Sequence, residues 1–239
     1  MSGHSKWATT KRQKSILDAR RGSLFTKLSR NITIAAKNGV DPDANFKLRM
    51  AVDAARVASM PKDNIERAIN KAKDSDTALI EVMYEGFGPF GILVLVEALT
   101  DNKNRTFNDV KHIFVKYDCV LGSQNSVVWN FNHVGMIKIK DKISAELELK
   151  IIEAGADDFH EFEDYVFVYT TPQNLQTVQN NLIKSGMSPE ESSLEFIPKE
   201  TVSFIGETEK NTIDKFFDDL DDLADVKQCH TNADMNLEL

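Results

Sequence analysis

The residues of this chain best suited to chemistry are the lysines and arginines near its N-terminus. Residues 1–73, the basic head, hold 16 Lys and Arg against 6 Asp and Glu. Residues 74–239, the acidic body, hold 13 Lys and Arg against 31 Asp and Glu. The net charge of −8 therefore hides a strong asymmetry. A polyanion would be attracted to one end of the molecule and repelled by the other, which favours an oriented contact with a nucleic acid.

The cations of the head, together with one tryptophan, form the predicted binding site. Lysine and arginine neutralise phosphates without reading base sequence, and an indole can stack on an exposed base. We therefore expect contacts that position a nucleic acid rather than select a sequence. A solvated basic tail without a specific partner is the alternative. The predicted nucleic-acid-binding residues are Lys6, Trp7, Lys11, Arg12, Lys14, Arg20, Arg21, Lys27, Arg30, Lys62, Arg67 and Lys71.

A glycine-rich segment has the spacing of a dinucleotide-binding motif. Gly86, Gly88 and Gly91 form the pattern GxGxxG. That motif binds a pyrophosphate where it follows a strand and opens a helix. Here the pattern opens an apolar, strand-like segment, and Pro89 has no amide hydrogen to donate. We predict a shaped turn and expect no cofactor.

Acidic residues surround one histidine at residues 157–164. Asp158 and His160 would share one face of a strand, as a pair of metal ligands can, but no further ligand spacing supports a metal site. We predict a solvated strand and no bound metal. The next strand, residues 165–170, alternates aromatic residues that either stack on RNA bases or pack internally, and the acidic neighbours favour packing. No nucleophile–base arrangement or paired carboxylates indicate catalysis, so we predict no enzyme.

The polar segment 101–106 joins a predicted strand to a predicted helix. Asn104 or Thr106 can cap the helix by accepting hydrogen bonds from its first amides. Lys103 and Arg105 offer a second interpretation, in which they contact phosphate. The sequence leaves both interpretations open.

The composition indicates a soluble intracellular protein with real hydrophobic cores. Apolar residues make up 41% of the chain and include 14 Phe, which argues against global disorder. No apolar run approaches the roughly 18 residues of a membrane-spanning helix, so we expect no membrane partner. Cys119 and Cys229 lack metal-ligand spacing, and we expect reduced thiols.

Apolar periodicity predicts helices in the head and mixed elements in the body. In the head, apolar residues recur every three or four positions within residues 25–36, 48–55 and 65–72. The break before the third helix, at Pro61, resembles the turn of a helix-turn-helix. In the body we predict strands at 91–100, 126–131, 134–140, 158–163, 165–170, 193–197, 201–205 and 225–229, and helices at 106–117, 145–154, 175–184 and 208–223.

This order predicts an α+β multidomain fold with an N-terminal three-helix domain and two ferredoxin-like α/β domains, one inserted into the other. Residues 134–199 have the βαββαβ order of a ferredoxin-like fold, and the segments on either side complete each other. The predicted boundaries are a flexible basic arm at 1–22, a helical domain at 23–76, a discontinuous α/β domain at 77–132 plus 200–239, and an inserted ferredoxin-like domain at 133–199.

Several stretches taken together resemble the YebC/PmpR family. The stretches are distributed along nearly the whole chain and occur in the same order as in the family. The matching stretches are Ser2–Trp7, Phe25–Leu28, Met60–Ile69, Tyr84–Pro89, Leu99–Thr106 and Gly155–Asp158. Three residues depart from the pattern. Thr10 and Gln13 stand where the family often has an aliphatic and a basic residue, and Phe90 replaces a usual glycine.

The resemblance implies a helical domain, two α/β domains and a non-enzymatic role in gene expression. The family is described as cytoplasmic and DNA-binding in transcriptional regulation, and also as ribosome-associated, assisting the translation of difficult sequences such as proline runs. Its mitochondrial relatives include the translational activator of cytochrome c oxidase. Because the matching signature begins at residue 2, the resemblance favours the bacterial cytoplasmic form.

We therefore expect a nucleic-acid-binding regulator, in the first place a DNA-binding transcriptional regulatory protein. The alternative is a ribosome-associated translation factor that binds ribosomal RNA or tRNA. A different class remains open as well, in which the acidic domains dock a basic protein partner. We expect a monomer or weak homodimer and no small-molecule substrate.

Overall fold

A computed structural model describes residues 21–74, 79–203 and 206–234 and confirms the α+β multidomain fold. Most of the predicted arm, residues 1–20, lies outside these ranges, and Arg21 and Gly22 already belong to the first helix. The helices are α1 (Arg21–Ala36), α2 (Phe46–Val57), α3 (Lys62–Asp74), α4 (Lys103–Lys116), α5 (Ala145–Glu153), α6 (Leu175–Lys184) and α7 (Glu207–Asp222). The strands are β1 (Ile80–Phe87), β2 (Leu93–Thr100), β3 (Val120–Leu121), β4 (Phe131–Ile139), β5 (Asp158–Phe162), β6 (Tyr165–Thr170), β7 (Pro189–Pro198), β8 (Val202–Ser203), β9 (Val226–Thr231) and β10 (Ala233–Asp234).

Helices α1, α2 and α3 pack around one apolar core, as their periodicity predicts. The fully buried side chains include Ile32 on α1 and Leu48 on α2, and Ile65 on α3 joins the same cluster. The Asn45 side chain begins α2 by accepting a hydrogen bond from the amide of Leu48 at 3.2 Å. An N-cap of this kind satisfies one of the amides that a helix start leaves unpaired.

The first sheet has the strand order β3-β1-β2-β9, and all its neighbours are antiparallel. Helices α4 and α7 cover one face, where Phe114, Phe216 and Phe217 form the centre of the core. The spatial layout is that of a ferredoxin-like sheet, with β1 in the position of the third strand. The chain reaches this layout by a different route, because β1 precedes β2 in a hairpin. The sequence analysis missed β1 altogether.

The predicted strand at 126–131 is wrong. Residues 128–130 form a short 3-10 turn. The strand that follows α4 is instead the two-residue β3. The amides of the segment bind a side chain instead of a neighbouring strand. The carboxylate of Glu85, which is 5% exposed, accepts hydrogen bonds from the amides of Asn125, Val127 and Val128 at 2.7, 2.8 and 2.9 Å. Val127 then packs on Leu95 in a small core of its own.

The second sheet confirms the predicted βαββαβ unit. Its strand order is β5-β6-β4-β7, which is the antiparallel order of a ferredoxin-like fold, and α5 and α6 cover one face. The aromatic residues of β6 pack inside the protein, since Phe167 and Tyr169 are buried. Lys138 is buried beside them, with its Nζ 3.7 Å from the centroid of the Tyr165 ring.

The two sheets meet through buried polar residues. His230 on β9 lies with Nε2 2.7 Å from Oε1 of Glu97 on β2, and its Nδ1 lies 3.7 Å from Oε2 of Glu195 on β7. Burial raises the pKa of the Glu97 carboxyl, but hydrogen bonds and charge from His230 and Lys227 outweigh it and lower the pKa to about 2. On this topology we propose the discontinuous α/β domain and the inserted domain given above, because β9 returns to the sheet of β1 and β2 after the second sheet is complete.

Replacing Glu85 by glutamine should destabilise the protein. The amide group would place its own N–H donors against backbone donors, so we expect the free energy of unfolding to fall by about 2 kcal/mol. Urea unfolding of the full chain measures this change. Glu81→Gln is the matched control, because Glu81 is exposed on the same strand and face and should change stability by less than about 0.5 kcal/mol. Equal losses in the two variants would contradict the role of Glu85.

Candidate nucleic-acid interface

All of the predicted binding residues except Arg21 fall into three groups. The first group lies outside the described residues: Lys6, Trp7, Lys11, Arg12, Lys14 and Arg20. Arg21, the first residue of α1, marks the point where this segment joins the fold. The second group is on α1 and contacts the rest of the protein: Lys27 and Arg30. The third group is exposed on α3: Lys62, Arg67 and Lys71.

Of the two α1 cations, Lys27 binds the C-terminal end of α7 and Arg30 binds the turn that follows it. The Nζ of Lys27 donates to the carbonyl oxygen of Asp221 at 2.5 Å, and Nη1 of Arg30 donates to that of Ala224 at 2.8 Å. The last carbonyls of a helix have no partner within it and carry partial negative charge, so cations are favourable there. Lys27 and Arg30, which were predicted to bind phosphate, thus hold the helical domain against the α/β body.

Asp225, between α7 and β9, is the centre of this contact. It is 7% exposed, and its two carboxylate oxygens serve different segments of the chain. Oδ1 accepts from Nη1 of Arg30 on α1 at 2.5 Å. Oδ2 accepts from Nη2 of Arg105 at 2.6 Å and from the hydroxyl of Thr106 at 2.7 Å, both on α4. One buried carboxylate therefore joins α1, α4 and the start of β9.

The electrostatics follow from these partners. Burial raises the pKa of the Asp225 carboxyl, yet the hydrogen bonds from Arg105, Thr106 and Arg30 outweigh it and lower the pKa from 3.8 to about 2. The carboxylate is therefore ionised throughout the physiological range. Arg105 also pairs with Asp101 at 2.7 Å, which makes it the shared partner of two carboxylates.

The segment 101–106 builds the other half of this arrangement. Its helix cap is Asn102, whose side chain accepts from the amides of Asn104 and Arg105 at 3.1 Å each, so the predicted caps Asn104 and Thr106 are wrong. The backbone amide of Asn102 in turn donates to the hydroxyl of Thr100 at 2.9 Å. Because Asn102 performs the capping, the side chain of Thr106 is available to bind Asp225.

The exposed cations of α3 share their surface with acids. Lys62 lies 3.6 Å from Glu66, and Arg67 donates to the side-chain oxygen of Asn64 at 2.8 Å. Asp63 is exposed on the same turn. Helix α3 therefore offers positioning contacts to phosphate rather than a uniformly cationic row. No regular pattern for reading bases appears on the part of α3 that is described.

Asp225 is the functional residue that the sequence analysis missed. It is a lone acid after an acidic helix and looks like one more solvated carboxylate. The residues that could have indicated a role for Asp225 lie elsewhere in the chain: Arg105 in the segment 101–106, and Arg30. Buried or half-buried arginines require a carboxylate partner, and no local residue provides one for Arg30.

The remaining motifs have structural explanations. Gly86 lies in β1, where a Cβ would lie 2.4 Å from the Phe114 ring, and Gly88 and Gly91 belong to the tight β1–β2 turn, where a Cβ on Gly88 would lie 2.9 Å from Ile92. In the described ranges, no three His, Cys, Asp or Glu residues are grouped to hold a metal ion. Both cysteines are free thiols, and burial together with Asp118 raises the pKa of Cys119 to about 11. None of the described helices has the length and apolar character to cross a bilayer.

Comparisons with known proteins cover nearly the whole chain. Residues 5–75 match the family model described as the TACO1/YebC protein N-terminal domain, and residues 79–233 match the one described as the TACO1/YebC second and third domain. The chain is 42% identical to the probable transcriptional regulatory protein DET0444 of Dehalococcoides mccartyi, over 100% of this chain and 97% of that protein. It is 42% identical to a probable transcriptional regulatory protein of Persephonella marina, over 100% of this chain and 98% of that protein. The crystal structure of a conserved hypothetical protein, Aq1575 from Aquifex aeolicus, superposes with a TM-score of 0.85 at 38% identity and covers 98% of this chain and 99% of that chain.

Replacing Asp225 by asparagine should weaken the contact between α1 and the body. Two arginines would lose their shared carboxylate, and we expect the free energy of unfolding to fall by about 3 kcal/mol at pH 6. Because the folded-state pKa is lowered, the contribution of Asp225 is complete above about pH 4 and is lost as the pH falls toward 2. The difference in stability between the wild type and Asp225→Asn should therefore shrink over that interval in urea unfolding series.

Asp109→Asn is the control, because Asp109 is an exposed carboxyl on α4. It should change neither stability nor the pH profile by more than about 0.5 kcal/mol. A constant difference between wild type and Asp225→Asn from pH 6 to pH 2.5 would show that the ionised carboxylate is not what stabilises the contact. Comparing the two curves also cancels the parallel loss expected from Glu97.

Proposed function

The chain belongs to the TACO1/YebC family, and on this basis we propose that it is a non-enzymatic, nucleic-acid-binding regulator of gene expression that acts in the cytoplasm. The relatives compared above carry the name probable transcriptional regulatory protein, which supports a regulatory role. We propose binding to DNA in transcriptional regulation as the primary function. The function requires no cofactor, metal or small-molecule substrate.

The observation that carries this proposal is the separation of charge along the chain. The basic head has 16 Lys and Arg against 6 acids, while the acidic body has 13 against 31. A nucleic acid approaching the body would be repelled and one approaching the head would be attracted. The head therefore determines which side of the molecule faces the ligand.

The geometry divides the head cations into two roles. Lys27 and Arg30 bind the end of α7 and Asp225, so we assign them to positioning the helical domain. The proposed contacts are then the cations of residues 1–20 with Trp7, together with Arg21 and the α3 residues Lys62, Arg67 and Lys71. Arg21 precedes Arg30 by nine helical residues, which places the start of α1 about 13 Å along the helix axis from the Asp225 contact.

Ribosomal RNA or tRNA is the second candidate ligand, and the exposed surface of α3 supports it. Acidic residues interrupt the exposed cations of α3, the predicted recognition helix of a helix-turn-helix. A recognition helix in the major groove normally presents several side chains to base edges. Contacts that only position a phosphate backbone suit a structured RNA as well as a DNA duplex.

Binding of nucleic acid through the head should depend steeply on salt. If six phosphates are engaged, the affinity of the full chain for a 20-base-pair duplex should fall roughly a thousandfold between 50 and 200 mM salt. Lys6→Glu combined with Arg12→Glu should reduce the slope of log affinity against log salt by about 2. Fluorescence anisotropy with a labelled duplex measures both quantities.

The matched control reverses two exposed lysines of the second α/β domain, Lys140→Glu with Lys184→Glu. It changes the net charge by the same amount and should leave the slope unaltered. Equal losses in the two double variants would mean that net charge alone governs binding. A flat salt response of the wild type, or unchanged binding by the head variant, would refute the proposal and favour a protein partner for the acidic domains.

Sedimentation with 70S ribosomes separates the two candidate ligands. Under the primary proposal, the full chain binds duplex DNA and stays in the supernatant at about 150 mM salt, where non-specific phosphate contacts are weakened. The comparison is a chain that lacks residues 1–20, which leaves α1 intact. Co-sedimentation of the full chain that disappears on this truncation would replace transcription by translation as the function.

A further inference from the structure

One exposed side of α4 carries cations, amides and an aromatic ring but no carboxylate. Lys103, Phe107 and Lys111 follow each other at intervals of four residues and therefore lie in one row. The amides Asn104 and Asn108, with His112 and Val115, are exposed beside this row. We call these seven residues the α4 stripe. The single acid of the helix, Asp109, lies on the flank that also carries Arg105 and Lys116.

This composition is unusual for the part of the molecule in which it occurs. The acidic body holds 31 Asp and Glu against 13 Lys and Arg, so most of its surface repels phosphate. Two lysines without an intervening acid form a local exception about 12 Å long along the helix. Phe107 lies midway between them and is 41% exposed, which makes it one of the large apolar side chains that the fold leaves open to solvent.

The ring of Phe107 has a defined position. It packs against Tyr84 with ring centroids 6.1 Å apart, and Nζ of Lys111 lies 5.9 Å from the Phe107 centroid. The Tyr84 hydroxyl donates to the carbonyl oxygen of Lys103 at 3.3 Å, which ties the first turn of α4 to β1. A cation and a partly exposed aromatic ring thus occur together on one helix.

We propose that the α4 stripe binds an unpaired segment of nucleic acid, with Phe107 stacking on a base and Lys103 and Lys111 contacting phosphates on either side. An aromatic ring stacks on a base only where the base face is exposed, so the ligand is single-stranded at this point. The absence of carboxylates on the stripe matches a polyanion. The side chains of Asn104 and Asn108 carry both donors and acceptors for base edges.

The position of the stripe connects it to the head. Arg105 and Thr106, on the other flank of the same turn, bind Asp225, and Asp225 also binds Arg30 of α1. One carboxylate therefore holds the first turn of α4, which carries the start of the stripe, in a fixed position relative to α1 of the head. The proposal rests on the proposed function for the type of ligand, but it concerns separate residues.

The test uses the full chain and three labelled probes: a 20-nucleotide oligo(rU), a 20-nucleotide oligo(dT) and a 20-base-pair duplex. Phe107→Ala should weaken binding of both single strands by about tenfold, within the roughly 5- to 150-fold that stacking of one base on an aromatic ring contributes. Phe107→Trp should retain the affinity, because the larger ring also stacks. Lys103→Glu with Lys111→Glu should weaken single-strand binding at least tenfold and lower its salt slope by about 1.4. Duplex binding should change less than twofold in all of these variants.

Two controls match the changes in chemistry. Trp129→Ala removes a ring that is 62% exposed on the opposite side of the first sheet, and Lys140→Glu with Lys184→Glu repeats the charge reversal elsewhere. Both should bind the single strands as the wild type does. Phe107→Leu keeps the apolar contact with Tyr84 but cannot stack, so it separates lost stacking from lost stability if Phe107→Ala unfolds. A loss confined to oligo(rU) would assign the stripe to RNA, and equal losses would assign it to unpaired strands of either sugar.

The outcomes distinguish the stripe from the head. Wild-type affinity for both single strands in the Phe107→Leu and lysine variants would overturn the stripe, whatever the head variants do. If the head variants lose duplex binding at the same time, the proposed function stands without the stripe. If the stripe variants lose single-strand binding while Lys6→Glu with Arg12→Glu changes nothing, the stripe stands and the role of the head is wrong. Displacement of oligo(rU) from the wild type by a poly-glutamate peptide at equal charge concentration would show an acidic-peptide site and would also overturn the proposal.

Discussion

One buried carboxylate ties α1 of the basic head to the acidic body, while Phe46 and Met50 of α2 pack against the core of the second α/β domain. Asp225 binds Arg30 with one oxygen, and it binds Arg105 and Thr106 with the other. The hydrogen bonds to this carboxylate depend on one another, because a buried charge that lacks part of its hydrogen-bond set is costly. The contact therefore acts as a single unit that fixes α1 relative to both α4 and β9. A diffuse attraction between a basic and an acidic domain would bring them together but would not choose one geometry.

This constraint also gives the charge separation a physical consequence. The head uses two of its cations to contact the body: Lys27 binds the negative end of α7, and Arg30 binds the turn that follows it. Acidic residues elsewhere on the body disfavour phosphate over most of its surface. Under the proposed function, a polyanion then contacts the exposed cations of the head and the lysines of the α4 stripe. Orientation and electrostatic selection come from the same arrangement.

Elements that depend on local pattern could be predicted from the sequence, and those that depend on distant partners could not. The three helices of the head and the βαββαβ unit follow from periodicity, and they match the structure closely. Strand β1 was missed, and residues 126–131 were mistaken for a strand, for one shared reason. Glu85 is a charged residue inside the fold, and its carboxylate replaces a neighbouring strand as the acceptor for the amides of that segment. Asp225 was overlooked in the same way, since its burial depends on arginines that are far away in the sequence.

The polar stretch that most resembles a functional motif turns out to serve the fold. Between Thr100 and Thr106, Asn102 caps a helix, while Arg105 and Thr106 bind Asp225. Side chains that are committed to internal partners have little capacity left for a ligand. Lys103, within the stretch, and Lys111 and Phe107, after it, are more informative, because both lysines are exposed and Phe107 stays 41% exposed although it contacts Tyr84. Side chains that build the structure and side chains that stay open to solvent thus occur within a single turn of α4, and only the second kind can contact a ligand.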